Sequence, residues 1–439
     1  MLNIFVLVAG VVAVDVLKSR PSATMPYPVA LAEEAPASAG SDADPISPDR
    51  LADKLDDRMS DSDLSDGLSA FVTDAATGTV LFQKDAGEAR IPASTTKIVT
   101  AITALDVLGP DAHLRTTAVR DGGTVILVGA GDPMLTERNA PDDYPQMASL
   151  EELADRTAEA LRGDGVDSVR LAYDDSLYTG PAEGPDWKPS YIWDGNVAKV
   201  TALMVDGGRT KKQVNYSERV DDPPRAAADA FARRLRDAGV RVEGRPSPAE
   251  APADAEELAA VGSASISALV ERMMLDSDNN IAEALFRQVA LAKGEEVSFS
   301  GASRAVGRVM ADFGVSGVHV EDGSGLTRNN RISPKALVEL LEIAADPQHP
   351  ELRATITGLP TAHFSGSLHD RYSADSGSAA GAGLVRGKTG TLNGVSALAG
   401  TVHARDGRLV LYAFVANDEA AAGRTLDTFT SAIAECGCT

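Results

Sequence analysis

Three short stretches of this sequence place hydroxyls, amines and amides at spacings that could do chemistry. The first is Ser94-Thr95-Thr96-Lys97. On a helix, a separation of three residues puts two side chains on one face. A serine near a helix N-terminus feels the positive end of the macrodipole, which favours a developing alkoxide. Lys97 is followed by Ile98 and Val99, and desolvation there would lower the ammonium pKa. A neutral lysine within reach of a serine Oγ is a nucleophile–base pair that needs no histidine. The second stretch is Ser277-Asp278-Asn279. Ser277 could relay a proton, and Asn279 could present its amide to a substrate carbonyl or to the lysine. The third is Lys388-Thr389-Gly390-Thr391. A lysine and a threonine hydroxyl side by side on a strand make a socket for a carboxylate, and Gly390 would let a substrate backbone approach the strand edge.

Taken singly these patterns discriminate poorly. S-x-x-K is expected by chance on the order of once in a chain of this composition, and a capping serine with a snorkelling lysine would explain it equally well. Ser-Asp-Asn alone is an ordinary helix start. K-T-G is rarer, expected in well under about a tenth of such chains. The three occur here in order, on a helix start, an inter-helix turn and a strand. That ordered set is the one described for penicillin-binding proteins and active-site-serine β-lactamases.

The elements that must position these residues are readable from pattern. Residues 68–84 read as a hairpin around Ala-Ala-Thr-Gly. Residues 91–110 read as a helix apolar nearly all round, stopped by Gly109-Pro110. A second hairpin is expected at 114–128. Helices are expected at 224–238, 265–275 and 280–293, followed near the end by strands at 395–404 and 409–417 and a helix at 419–435. Strand-rich ends around a helical middle imply an α+β fold, with one antiparallel sheet assembled from both ends and flanked by helices. Residues 246–257 read as a linker. The catalytic domain is therefore expected to be discontinuous, 67–111 with 261–439, interrupted by an accessory domain at 112–260.

Composition bounds the remainder. The 439 residues carry 41 Lys+Arg against 64 Asp+Glu, a formal net charge of −23. Such an excess argues against nucleic-acid binding. No apolar run reaches 18 residues, which excludes a polytopic membrane protein. Residues 2–14 are almost wholly apolar and fit the core of a secretory signal, with a small-x-small cleavage site at Ala30-Leu31-Ala32, although no Lys or Arg precedes the run. Residues 1–32 are thus expected to be a signal peptide. Residues 33–66, with eleven carboxylates against three cations, read as an acidic linker holding a short helix at 50–59. Two cysteines cannot build a disulfide-rich scaffold or a four-cysteine zinc site. Cys436 and Cys438 are expected as free or intermolecular thiols. The sequence has neither H-E-x-x-H nor G-x-S-x-G, and its six histidines are scattered. His363 and His369 are expected to be plain surface residues, and no metal or cofactor is expected.

Longer stretches carry a resemblance. MMLDSDNNIAEALFRQVA (273–290), EDGSGLTRNNRISP (321–334) and RGKTGTLNGVSALAGTV (386–402) resemble the D-alanyl-D-alanine carboxypeptidases of the penicillin-binding protein 4 type, peptidase family S13. So do LVGAGDPML (127–135) and the regions 174–181 and 200–208, and the resemblance covers about 68–435. In that family accessory domains separate the first two motifs. The 183 residues from 94 to 277 are enough for an insertion but short for two domains. The resemblance implies the penicillin-binding-protein fold and a serine-type carboxypeptidase acting on peptidoglycan stem peptides ending in D-Ala-D-Ala, outside the cytoplasm, with β-lactams as covalent inhibitors. It implies Ser94 as nucleophile, Lys97 as base, Ser277 and Asn279 in proton transfer and positioning, and Lys388 and Thr389 on the terminal carboxylate. The N–H groups of Ser94 and Thr391 would form the oxyanion hole. Ser324, Arg328, Leu392 and Asn393 would lie near the rim, facing the substrate side chain. D,D-endopeptidase activity, a β-lactamase or esterase on the same fold, and a non-catalytic cell-wall binding protein are the alternatives.

Overall fold

The computed structural model describes residues 46–436, apart from 61–63, 65–66, 140–144, 212–215 and 419–422. The expected signal segment, the first part of the expected linker, and Cys438 lie outside these residues. The first sheet has five strands, β1 (Leu68–Asp74), β2 (Val80–Lys84), β10 (Val385–Leu392), β11 (Val395–His403) and β12 (Leu409–Ala416). Their order is β10-β11-β12-β1-β2, antiparallel throughout, so the sheet is assembled from both ends of the chain as expected.

The long apolar runs of β11 and β12 follow from burial on both faces. Leu411, Ala413 and Val415 point into one core with Phe71, Ala397 and Ala399. Val410, Tyr412 and Phe414 alternate to the opposite side, against Leu398 and Val402. The first face packs on helix α2 (Thr96–Leu108), which has Ala101, Ile102, Ala104 and Leu105 fully buried. Helices α5 (Ile266–Asp276), α6 (Asn279–Ala292) and α8 (Pro334–Ala345) close around α2, with α7 (Phe299–Asp312) behind α6. A two-stranded ribbon, β8 (Val318–His319) with β9 (Arg331–Ile332), completes this side.

The second face corrects the linker reading. Helix α1 (Pro48–Ser60) packs with α9 (Gly423–Ala434) against the sheet. Its Leu51, Leu55 and Met59 recur at helical spacing and are buried with Phe429 and Phe414. The acidic residues occupy its solvent side, which is why composition alone made it look like a tether. Cys436 is buried and disulfide-bonded rather than a free thiol.

A second five-stranded sheet lies within 115–262. It contains β3 (Arg115–Asp121), β4 (Thr124–Val128), β5 (Ser168–Asp174), β6 (Arg241–Pro248) and β7 (Glu256–Gly262) in the order β6-β5-β4-β3-β7. The β4-β5 and β5-β6 pairs are parallel. Helices α3 (Leu150–Gly163) and α4 (Pro223–Asp237) cover it, and Leu153, Leu161, Leu171 and Phe231 form its separate core. The expected linker at 246–257 is thereby corrected: β6 and β7 run into it from both sides and form the two edges of this sheet. Edge strands tolerate the prolines and charges that suggested a tether. The chain between β5 and α4 leaves this sheet, and Trp187, Ile192, Val197 and Val200 bury themselves in the α2 core instead.

Candidate active site

Three local structures deliver the chemistry. Ser94 sits in a single 3-10 turn, Ala93–Thr95, that feeds directly into α2. Ala93 holds φ of 47°. The hydroxyls of Thr95 and Thr96 return hydrogen bonds to the carbonyls of Pro92 and Ala93. Ser277 ends α5 in the left-handed conformation, φ 58° and ψ 36°. Asp278 then caps α6, accepting from the N–H groups of Asn280 and Ile281. Two helices can thus abut with only Ser277 and Asp278 between them, and both Ser277 and Asn279 are presented at the junction. Lys388 and Thr389 lie on β10, the sheet's edge strand.

These three pieces meet through two lysines. Lys97 Nζ donates to Ser94 Oγ at 3.1 Å, to Asn279 Oδ1 at 2.7 Å and to the Ser324 carbonyl at 2.8 Å. Lys388 Nζ donates to Ser277 Oγ at 2.9 Å and to the Thr389 carbonyl at 3.0 Å. Both side chains are fully buried, and all of these acceptors are neutral. Burial therefore pushes the Lys97 amine down to about 8, against an opposing pull from Glu283, Asp322 and Asp278. Lys388 is held well below the usual lysine range by burial and then by the like charge of Lys97. Asn279 Nδ2 donates to the Asn196 carbonyl at 2.9 Å, so both ends of its amide are held.

Packing gives Gly390 a further reason to be glycine. A Cβ there would lie 2.7 Å from the Pro92 carbonyl oxygen and 3.2 Å from Ala93 Cβ. The glycine lets β10 press against the Ser94 turn. On β10 the Gly387 N–H donates outward, to Pro360, away from β11. Strand alternation turns the N–H groups of Thr389 and Thr391 to that same outer edge, beside Ser94.

Ser324 is also corrected. It is fully buried, not at a rim, and its contribution is the backbone carbonyl that receives Lys97. Gly325 follows with φ of 85°, and a Cβ on it would sit 1.9 Å from the Ala93 carbonyl oxygen. Arg328 and Asn393 are partly or fully exposed and joined by a hydrogen bond from Arg328 Nη1 to the Asn393 carbonyl, 2.8 Å. Leu392 is half-buried at the end of β10.

Several residues of the site carried no pattern in the sequence. Glu283, fully buried on α6, accepts from the N–H groups of Gly323 and Ser324 at 3.0 and 2.8 Å. Burial and the neighbouring Asp322 raise its carboxyl to about 8. Asp322 accepts from Gly325, Thr327, Asn330 and the Trp187 indole. Together they fix the loop whose carbonyl aims Lys97. Ser367 Oγ lies 2.8 Å from Thr389 Oγ1. His363 and His369 are exposed, as expected, yet they flank this serine.

A sequence model of the D-Ala-D-Ala carboxypeptidase 3 (S13) family matches residues 51–218 and 209–435. The chain belongs to that family. Its class of enzyme is therefore the expected one, a D-Ala-D-Ala carboxypeptidase. This family member is 36% identical over 379 residues to carboxypeptidase DacB of Mycolicibacterium smegmatis, covering 84% of this chain and 81% of that one. It is 29% identical to the D-alanyl-D-alanine carboxypeptidase of Actinomadura sp. strain R39, covering 82% and 79%. In fold it matches penicillin binding protein 4 (dacB) of Haemophilus influenzae with a TM-score of 0.70, at 20% identity, over 86% of this chain and 97% of that one.

Proposed function

We propose that this carboxypeptidase removes the terminal D-alanine from peptidoglycan stem peptides outside the cytoplasm, through an acyl-enzyme on Ser94. Neutral Lys97 takes the proton from Ser94 Oγ as that oxygen attacks the penultimate D-Ala carbonyl. The N–H groups of Ser94 and Thr391 receive the developing oxyanion. Lys388 and Thr389 hold the terminal carboxylate. The proton reaches the departing amine by way of Ser277, whose oxygen already accepts from Lys388. Water then releases the acyl group. Penicillin and related β-lactams acylate the same serine, and D,D-endopeptidase cleavage follows the same route. The sheet within 115–262 is an inserted accessory domain, and Arg328 with Asn393 faces the substrate side chain.

The observation that carries this reading is the Lys97 amine, buried, 3.1 Å from Ser94 Oγ and surrounded by neutral acceptors. A structural lysine would be paired with a carboxylate or would reach solvent. Fluorescent penicillin should label the wild type covalently and leave Ser94→Ala unlabelled. Equal labelling of both, or no D-Ala released from a D-Ala-D-Ala peptide, would sink it.

A further inference from the structure

The outer edge of β10 is open at Thr389 and Thr391 but closed immediately before them. Residues 360–362 pair with it as a short extra strand. Gly387 N–H donates to the Pro360 carbonyl at 3.0 Å, and Ala362 N–H to the Val385 carbonyl at 2.9 Å, with Thr361 opposite Arg386. The chain then turns over the end of α5. Ala362 and Leu368 are fully buried, which pins both ends of the turn. Gly366 holds φ of 53°, and a Cβ there would lie 2.2 Å from the Leu275 carbonyl oxygen. The turn therefore rests two residues before Ser277. Its exposed tip delivers Ser367 Oγ to Thr389 Oγ1.

We propose that Ser367 is a positioning residue for the carboxylate socket, and that residues 360–368 are a stop that ends the substrate-binding edge. The residue after the scissile bond must then carry a free α-carboxylate. A hydroxyl has one proton and two acceptor sites. When Ser367 donates to Thr389, the single Thr389 proton is released toward the open edge, where a carboxylate can accept it. Hydroxyl-to-carboxylate bonds are short and strong, so this orientation matters for binding. A substrate that continued as an amide past this point would need the space where 360–362 already pairs with Val385 and Gly387. Backbone hydrogen bonds and two buried side chains hold that segment in place, so the stop is rigid.

This inference rests on the D,D-carboxypeptidase reading, and the test separates the two. The purified full chain would be assayed on a peptide ending in D-Ala-D-Ala and on the same peptide extended by one glycine. Wild type should release D-Ala from the first and leave the second intact. Ser367→Ala should raise KM for the first about tenfold with kcat within about twofold, the loss expected for one charge-assisted hydrogen bond. Ser367→Thr should restore KM, and unchanged thermal unfolding would confirm that each variant is folded. An unchanged KM in Ser367→Ala, or wild-type cleavage of the glycine-extended peptide at a comparable rate, overturns the inference while D-Ala release and penicillin labelling keep the underlying reading. Loss of labelling and of D-Ala release in the wild type overturns both.

Discussion

The sheet within 115–262 and the body that carries Ser94 treat charge in opposite ways. In the former, apart from the part-buried Arg234–Glu137 pair, several ion pairs lie at the surface: Arg115 with Glu257, Arg120 with Asp164 and Glu256, Arg138 with Glu151, Arg241 with Asp167. Each has at least one partner largely in water, and such pairs are worth about 0–1 kcal/mol. In the latter, Lys97, Lys388, Glu283 and Asp322 are fully buried, and neither lysine is hydrogen-bonded to a carboxylate. Desolvated charge of this kind destabilises the fold. Groups buried in this way cluster at functional sites, whereas exposed ion pairs, which occur in both regions, mark no site.

The sharpest way to break that contrast is Lys97→Met. Loss of the base should lower the second-order rate of penicillin acylation by about 10³–10⁴-fold. Stability should respond in the other direction. A folded-state pKa of about 8 against the ordinary 10.5 disfavours the protonated amine in the fold by roughly 3 kcal/mol. That penalty is complete below about pH 8 and vanishes as pH rises through 10.5. The methionine leaves the Asn279 and Ser324 oxygens without their donor, at about 1 kcal/mol each. The net expectation is a variant about 1 kcal/mol more stable at pH 7, with the gain reversed above pH 10.5. Denaturant unfolding at several pH values would measure it, and a large fall at pH 7 would count against the contrast.

Gly325→Ala probes how the site is held. Its Cβ would overlap the Ala93 carbonyl at a backbone conformation that alanine adopts poorly. A loss of about 3 kcal/mol is expected, with slower acylation as the nucleophile turn moves. Without changing any residue, the pH profile tests the same point. At pH 7 about a tenth of Lys97 is neutral if its pKa is near 8. Acylation should rise about tenfold per unit of pH below 8 and level off above it. A flat profile from pH 6 to 9 would show that Lys97 is not the base that limits the step. The smallest effect belongs to the other region: Arg120→Ala should cost under about 1 kcal/mol and leave the acylation rate unchanged.

Legibility followed chain distance. Ser94 with Lys97 and Ser277 with Asn279 were readable because helix geometry converts a short spacing into a shared face or junction. The sheet drawn from both ends was readable because β11 and β12 are apolar on both faces. The helix expected at 50–59 is there as α1, but its packing on the sheet was hidden because the eleven carboxylates of 33–66 outweighed Leu51, Leu55 and Met59 in a count that ignored period. Ser324 is read as a rim residue because the sequence cannot show that it is fully buried with its carbonyl turned to Lys97.

Residue type and local spacing determined the candidate reactive groups of this protein: the hydroxyls, the two lysines, the amide, and the turns that expose them. They also determined that these groups would lie on a helix start, a helix junction and a strand. Only the tertiary structure decided their state. The Lys97 pKa falls because burial strips away its water, while its partners, the oxygens of Ser94, Asn279 and Ser324, lie up to 227 residues from it in the chain. Glu283 and Asp322 lie close in sequence to Asn279 and Ser324, yet only packing shows that they fix the loop that receives Lys97, and Ser367 comes from a separate turn. Desolvation depends on everything that packs around a group, and no local pattern along the chain encodes that.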